Sequence, residues 1–308
     1  MRSKDEWRVS FATIAAIAGT GLIPGRAIAL FFGQLKTLAW LGVGAASVLF
    51  GVLTAGTVWH SRMYGGDAMR REGTAASRLA GILRGLFSAL LIAVMLIRVG
   101  EVSALTLPLR HAYGFGAVFA LIAAVLLSLE NGRLLPIAGF IAFFSTTLFY
   151  AAMALDPRPV RLAVRVETEF RLAGRSGAAL LLATLFAAMN ACAAGLNEPE
   201  LCSGRPVGAG MRSGCMLFAV LTLGCLALKR GGDVLLAQPE PWVLLSARWG
   251  IAGFWICAGT EYLCALLTLA VALRALLLRV RAGSGGMAKL YLFIITALLF
   301  GVLSYGKL

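Results

Sequence analysis

Charge is what this 308-residue chain has least of. Asp, Glu, Lys and Arg together make up 14% of it, where a soluble domain carries about 25%. No polar stretch is long enough to fold as a separate soluble domain. Histidine is scarcer still. The two present, His60 and His111, lie far apart, flank different apolar runs and read as interfacial residues, so neither haem nor metal ligation by the pair is expected. The six cysteines are Cys192, Cys202, Cys215, Cys225, Cys257 and Cys264. None forms a CxxC and five lie in apolar runs, where cysteine packs as a small hydrophobe. That excludes a disulfide framework and a zinc site from the expectations. HExxH, GxSxG, a Walker-type loop and any His/Asp/Glu cluster are missing too, so a membrane enzyme finds no support and no cofactor is expected.

What the chain has is apolar length. It is 60% hydrophobic, with a mean hydropathy of +0.87. A polytopic integral membrane protein is the class that follows. Its net charge of +14 comes from 28 Lys and Arg against 14 Asp and Glu. The basic residues cluster between apolar runs, where anionic headgroups are their natural partner. No RNP-like or helix-turn-helix pattern accompanies them, so nucleic acid is not expected.

A span needs about 20 apolar residues. That ruler gives nine candidates: Val9–Phe32, Leu38–Trp59, Ile82–Gly100 (with an apolar extension to Leu109), Tyr113–Leu129, Leu134–Leu155, Ala178–Leu196, Met211–Leu228, Trp249–Leu273 and Leu290–Tyr305. The first run continues to about Phe32. This is longer than a signal-peptide core, so it reads as a retained span. With the N-terminus inside, fifteen Lys and Arg fall on inner segments or the inner ends of the spans and eleven on outer segments. The positive-inside rule then sets the N-terminus in the cytoplasm of a multi-pass plasma-membrane protein. Five of the outer eleven lie in Arg158–Arg175. That segment is too polar to span and is expected to lie at the membrane surface as a short extended piece or an amphipathic helix.

The stretch Ala16–Phe32 is apolar enough for lipid, yet it holds Gly19, Gly21, Pro24 and Gly25. Glycine weakens a helix and proline removes a donor. In lipid such a break is tolerated only beside protein or a water-filled cavity. Two readings stand: a close-packing face of small residues, or a discontinuous helix that exposes backbone to a solute. The sixth span carries a second candidate break in AAMNACAAGLNEPELCSG, with Asn190 inside the apolar run and Gly195, Asn197 and Pro199 ending it. Asn190 could equally hold two helices together. The two breaks fall in corresponding positions, the first span of the first five and the first span after them. Such a pair points to an inverted-repeat transport site, and the two segments are expected to be non-helical and to face each other.

A charge within a span is costly and is a functional candidate by default. Arg26, Arg98, Glu101 and Glu261 qualify. Arg98 and Glu101 are three apart and can pair on one helix face, and Arg26 can snorkel to the interface. Glu261, in FWICAGTEYLCALL, has no Lys or Arg within a helical turn. Its neighbours at i−4 and i+3, Cys257 and Cys264, are small and apolar. Its partner must come from another helix, a cavity water or a proton.

The chain resembles the YkvI-type membrane proteins, relatives of the amino acid–polyamine–organocation transporters with a LeuT-like architecture. The resemblance rests on Gly19-Thr20-Gly21 with Gly25, on Phe31-Phe32, and on Asn190 in the sixth span, where Met189 replaces the family's aromatic. It implies an all-α LeuT-like inverted repeat in one domain over 1–308, with repeats of about 9–155 and 178–305. It implies a secondary transporter of a small organic solute, such as an amino acid, coupled to a proton or ion gradient. Gly19, Thr20, Gly21, Asn190 and Gly195 would then bind the solute. Half-helix N-termini would favour an anionic group, and Glu261 would carry a coupling proton. Two departures stand out. Arg26-Ala27 replaces the family's Gln-Glu, and nine spans are counted where the fold has ten. Both suit the alternative, a receptor or assembly partner that keeps the fold without transporting.

Overall fold

A computed structural model describes residues 2–22, 26–64, 75–129, 134–156, 176–197, 201–202, 205–231, 246 and 249–282. Among these residues there is no strand. The helices are α1 (Arg2–Ile17), α2 (Arg26–Phe31), α3 (Ala39–Tyr64), α4 (Ala75–Thr106), α5 (Ala112–Leu129), α6 (Leu134–Leu155), α7 (Ser176–Gly195), α8 (Pro206–Gly231) and α9 (Gly250–Ala282). A π-helical turn, Ala18–Leu22, follows α1, and a 3-10 turn, Gly33–Leu38, follows α2. Pro206 opens α8, where its missing N–H would have no helical partner in any case.

Among the described residues six helices are long and apolar enough to cross a bilayer: Ala39–Met63, Gly81–Thr106, Leu134–Leu155, Ser176–Gly195, Pro206–Arg230 and Gly250–Leu278. The protein is therefore a membrane-embedded helical bundle. Ala112–Ser128 is apolar but shorter. The 18 residues of α5 still reach about 27 Å. The ninth candidate, 290–305, and the basic segment 158–175 lie outside the described residues. Several helices run past the apolar runs read from sequence: α3 continues to Tyr64, α4 begins at Ala75 and ends at Thr106 within the expected extension to Leu109, α8 covers Pro206–Gly231, and α9 continues past Leu273 to Ala282.

The helices pack with alternating direction. α3 lies against α7 and α8, α4 against α5 and α9, and α1 against α6, α8 and α9. Large side chains such as Phe32, Phe50, Tyr150 and Phe186 fill the middle. Val48, Val52, Trp59, Leu148 and Ile251 are left on the outside, as lateral contact with lipid demands.

Each end of the bundle is fastened by a polar cluster. At the α1 end, Arg212 at the start of α8 pairs with Glu6 (Nη2–Oε2, 2.9 Å) and lies 4.8 Å over the Trp7 ring. Ser10 Oγ lies within donating distance of the Glu6 carbonyl on its own helix (2.9 Å) and the Ala209 carbonyl on α8 (3.3 Å). At the opposite end, Trp249 Nε1 donates to Asp156 Oδ2 (3.2 Å) and Arg230 Nη1 to the Asp156 carbonyl (3.0 Å). The first cluster joins two helix beginnings. The second joins the ends of α6 and α8 to the beginning of α9. Both agree with a chain that crosses the bundle once per span, α1 and the six-residue α2 counting as one.

Candidate functional site

The α-helical pattern of the first span stops at Ile17, just before the two glycines. Residues 18–22 are wound as a π-turn, so the backbone there is widened rather than unwound, which corrects the expectation of non-helical backbone. A π-turn shifts the bonding register and displaces backbone groups from their i−4 partners. A side chain from α9 meets backbone groups at this turn, and one from α7 meets the Thr20 hydroxyl. On α9, Thr268 Oγ1 accepts from the Gly19 N–H (2.8 Å). Its own single proton faces the carbonyls of Ala16 (3.0 Å) and Ala15 (3.3 Å). On α7, Asn190 Oδ1 accepts from Thr20 Oγ1 (2.8 Å). Thr20 also lies 2.9 Å from the Ile17 carbonyl. One hydroxyl proton thus serves two acceptors, one on its own helix and one on α7.

Asn190 itself is wholly buried and donates its Nδ2 to the Phe186 carbonyl at 2.9 Å. This explains a second correction. The sixth span is not broken between Asn190 and Gly195, because α7 is a continuous helix from Ser176 to Gly195. The amide spends its donor on the i−4 carbonyl without disturbing the helix and leaves its acceptor for Thr20. Gly195 is only the end of α7. Beyond it Leu196 and Asn197 close a turn onto Ala193 and Ala194, and Asn197 Nδ2 reaches the Ala12 carbonyl on α1 (3.5 Å).

Of the solute-binding candidates, the structure brings together Gly19, Thr20 and Asn190. Gly21 lies in the same π-turn. Gly195 stands five residues from Asn190, about 7.5 Å along the helix axis, with Thr57 of α3 as its neighbour. Arg26 opens α2, and its side chain lies outside the described residues. Phe31 and Phe32 meet Phe186 edge-on at centroid distances of 5.3 and 5.2 Å, one turn before Asn190.

Gly19 is a site of close approach. A Cβ there would lie 2.6 Å from Met95 Sδ and 2.9 Å from both the Cα of Ala265 and the carbonyl oxygen of Cys264. Two of those atoms are backbone and cannot turn aside. Gly19→Ala is expected to push the π-turn off α9 and destabilise the protein by about 1–3 kcal/mol. Thermal melting in detergent checks this, and an unchanged midpoint would mean that the turn is not seated on α9.

Three of the four charged candidates, Arg98, Glu101 and Glu261, form a second cluster. Arg98 Nε is 3.0 Å from Glu261 Oε1, and Arg98 Nη1 is 3.6 Å from Glu101 Oε2. Glu261 is 3% exposed, whereas Glu101 is 41% exposed. Arg98 and Glu101 therefore pair as their spacing allows, and Glu261 has a partner from another helix, one of the three sources its sequence neighbours left open. Cys257 and Cys264 do flank it on α9, and the compensating cation arrives from α4.

Thr268 was missed by the sequence reading. Its signal was available: it stands seven residues, two helical turns, after Glu261, a second polar group on one stripe of an otherwise apolar helix. Among the described residues no group of three or more His, Cys, Asp or Glu is placed to hold a metal ion. Comparison of the chain with protein-family models, with curated proteins and with solved structures finds no match.

Proposed function

We propose that this protein is a secondary transporter of a small organic solute, with an amino acid the first class to try, built as a LeuT-like inverted repeat related to the YkvI-type proteins. The observation that carries the reading is the contact between the interrupted first span and the sixth, Thr20 to Asn190 at 2.8 Å. Transporters of this kind place discontinuous backbone from two matching spans at mid-membrane depth. The packing agrees with a repeat of five: the second and seventh spans, α3 and α8, lie together, as do the third and eighth, α4 and α9.

In this reading the Gly19–Gly21 backbone, the Thr20 hydroxyl and the Asn190 amide exchange their mutual bonds for bonds to the solute. The oxygens of Ala15, Ala16 and Thr268 converge at the end of α1, the kind of ligand set that holds a coupling cation. Glu261 is the alternative coupling group. Protonating it frees Arg98 to turn to Glu101, already 3.6 Å away. The excess of basic residues on alternate segments puts the N-terminus in the cytoplasm, in the plasma membrane, with nine spans.

Uptake of labelled amino acids into proteoliposomes, with and without a pH gradient, tests the proposal. Thr20→Val and Asn190→Leu should each lower initial uptake roughly tenfold or more, the value of about one good hydrogen bond. A second reading, a receptor or assembly partner that does not transport, is favoured by the unbroken α7 and by the tight seat of Gly19 on α9. Absence of flux for every solute in the wild type would select it.

A further inference from the structure

A lateral groove of about 330 Å³ lies between α4, α5 and α9. Ser103 and Thr106 line it from α4, Phe115 and Phe119 from α5, and Trp255, Gly259 and Tyr262 from α9. Its rim faces outward within the spanning helices, since Phe115, Phe119 and Trp255 are all half exposed or more. Whatever fills it must come from the bilayer side. Two of its hydroxyls are already committed to the walls: Thr106 Oγ1 donates to the Val102 carbonyl (2.8 Å) and Tyr262 Oη to the Gly116 carbonyl (3.4 Å). The groove therefore offers an occupant mainly apolar contact. From Trp255 to Tyr262 it runs seven residues, about 10 Å along α9, which is the upper part of one leaflet's hydrocarbon.

The turn that joins two of its walls carries the opposite chemistry. Leu107, which lines the groove, is followed by Pro108, Leu109, Arg110 and His111 before α5 begins. The turn is closed by Ala112 N–H to the Leu109 carbonyl (3.1 Å). Arg110 and His111 are exposed on it, at the membrane-surface end of the groove. The nearby carboxylate of Glu101 is held by Arg98. We propose that the groove is a phospholipid site: one acyl chain lies against α4, α5 and α9, and the phosphate group sits at Arg110, with anionic headgroups preferred. The apolar trough and a cation at its mouth are the two halves of such a ligand, joined in the right order.

Gly259 offers the test. It lines the groove, and a Cβ built there meets nothing within 4 Å, so a larger side chain at this position takes up groove space. Full-length protein, delipidated in detergent, is titrated with phosphatidylglycerol or phosphatidylcholine, and lipid adducts are read by native mass spectrometry. Gly259→Phe should weaken the first adduct of both lipids roughly tenfold, by excluding two or more methylenes. Arg110→Gln should weaken phosphatidylglycerol about fivefold, the share of one surface cation, and phosphatidylcholine by less, because its phosphate is already paired with its own choline. Gly259→Leu serves as a smaller plug if the phenylalanine variant melts early. Wild-type adducts of both lipids in a stably folded Gly259 variant would overturn the site. No loss of either lipid on Arg110→Gln would overturn the placement of the phosphate, and equal loss of both would overturn the preference for anionic headgroups.

Discussion

Replacing Glu261 with leucine is expected to cost the fold about 3–5 kcal/mol, and replacing Arg98 with methionine in the same chain to return most of that loss. The reason lies in the burial of the pair. Glu261 is 3% exposed and Arg98 is 11% exposed, and their charged atoms are 3.0 Å apart. With Glu261 gone, the guanidinium stays in a low-dielectric interior with its nearest remaining carboxylate 3.6 Å away, on the exposed side of α4. With both gone, two apolar side chains of similar length fill the same space and no charge needs compensation. Glu101→Gln should change stability by no more than about 0.5 kcal/mol, because an exposed pair is screened and weak. Thermal or denaturant melting of the wild type, the single variants and the double variant gives the coupling directly. Additive single effects would show that the two residues do not act as a pair.

The same variants separate stability from coupling. Glu261→Gln keeps the shape of the side chain but cannot exchange a proton. If Glu261 carries the coupling proton, pH-driven uptake stops in this variant while solute exchange partly survives. If the pair only holds α4 to α9, uptake falls in proportion to the amount of folded protein and its pH dependence is unchanged.

What could be read from the sequence divides along the range of the interactions involved. The membrane class rests on composition and on runs of about 20 apolar residues, which lipid selects directly. The break after Ile17 was legible because glycine acts on its own backbone. The break expected after Asn190 was wrong for the opposite reason, while the alternative, that Asn190 joins two helices, agrees with its contacts. A polar residue in an apolar run signals a need for partners but not where they are, and Asn190 found one on its own helix at Phe186 and one in the π-turn at Thr20. The partner of Glu261 was invisible in sequence because Arg98 is 163 residues earlier, on a helix that meets α9 only in the folded bundle. The hydropathy ruler ended the third span at Gly100, yet α4 continues through Glu101, whose carboxylate is held by Arg98 at its own helix surface. Thr268 left a trace in its spacing from Glu261, but threonine is too common in apolar helices for that spacing to stand out without the π-turn it supports.

Helix contact in lipid depends on packing, since apolar side chains gain nothing by leaving lipid tails for each other. The seam between α3 and α8 shows what this requires. A Cβ on Gly210 would collide with the Gly51 carbonyl oxygen and come within 2.8 Å of Ala55 Cβ, and one on Gly214 would lie 2.9 Å from the Ser47 carbonyl oxygen. From the other side, a Cβ on Gly51 would lie 2.9 Å from the Gly210 carbonyl oxygen. Here backbone meets backbone. Gly210→Leu must therefore part the helices and is expected to destabilise the protein by about 3 kcal/mol or more, at the upper end of overpacking effects. Gly56, on the same helix as Gly51, has nothing within 4 Å of its Cβ position. Gly56→Ala should act in the opposite direction and stabilise by about 0.5–1 kcal/mol, by removing a flexible residue from a helix interior. Melting midpoints of the two variants, moving to opposite sides of the wild type, are the result this seam requires. A mild effect of Gly210→Leu would mean that α3 and α8 can separate at little cost, and the paired second and seventh spans would lose their place as a rigid unit of the proposed repeat.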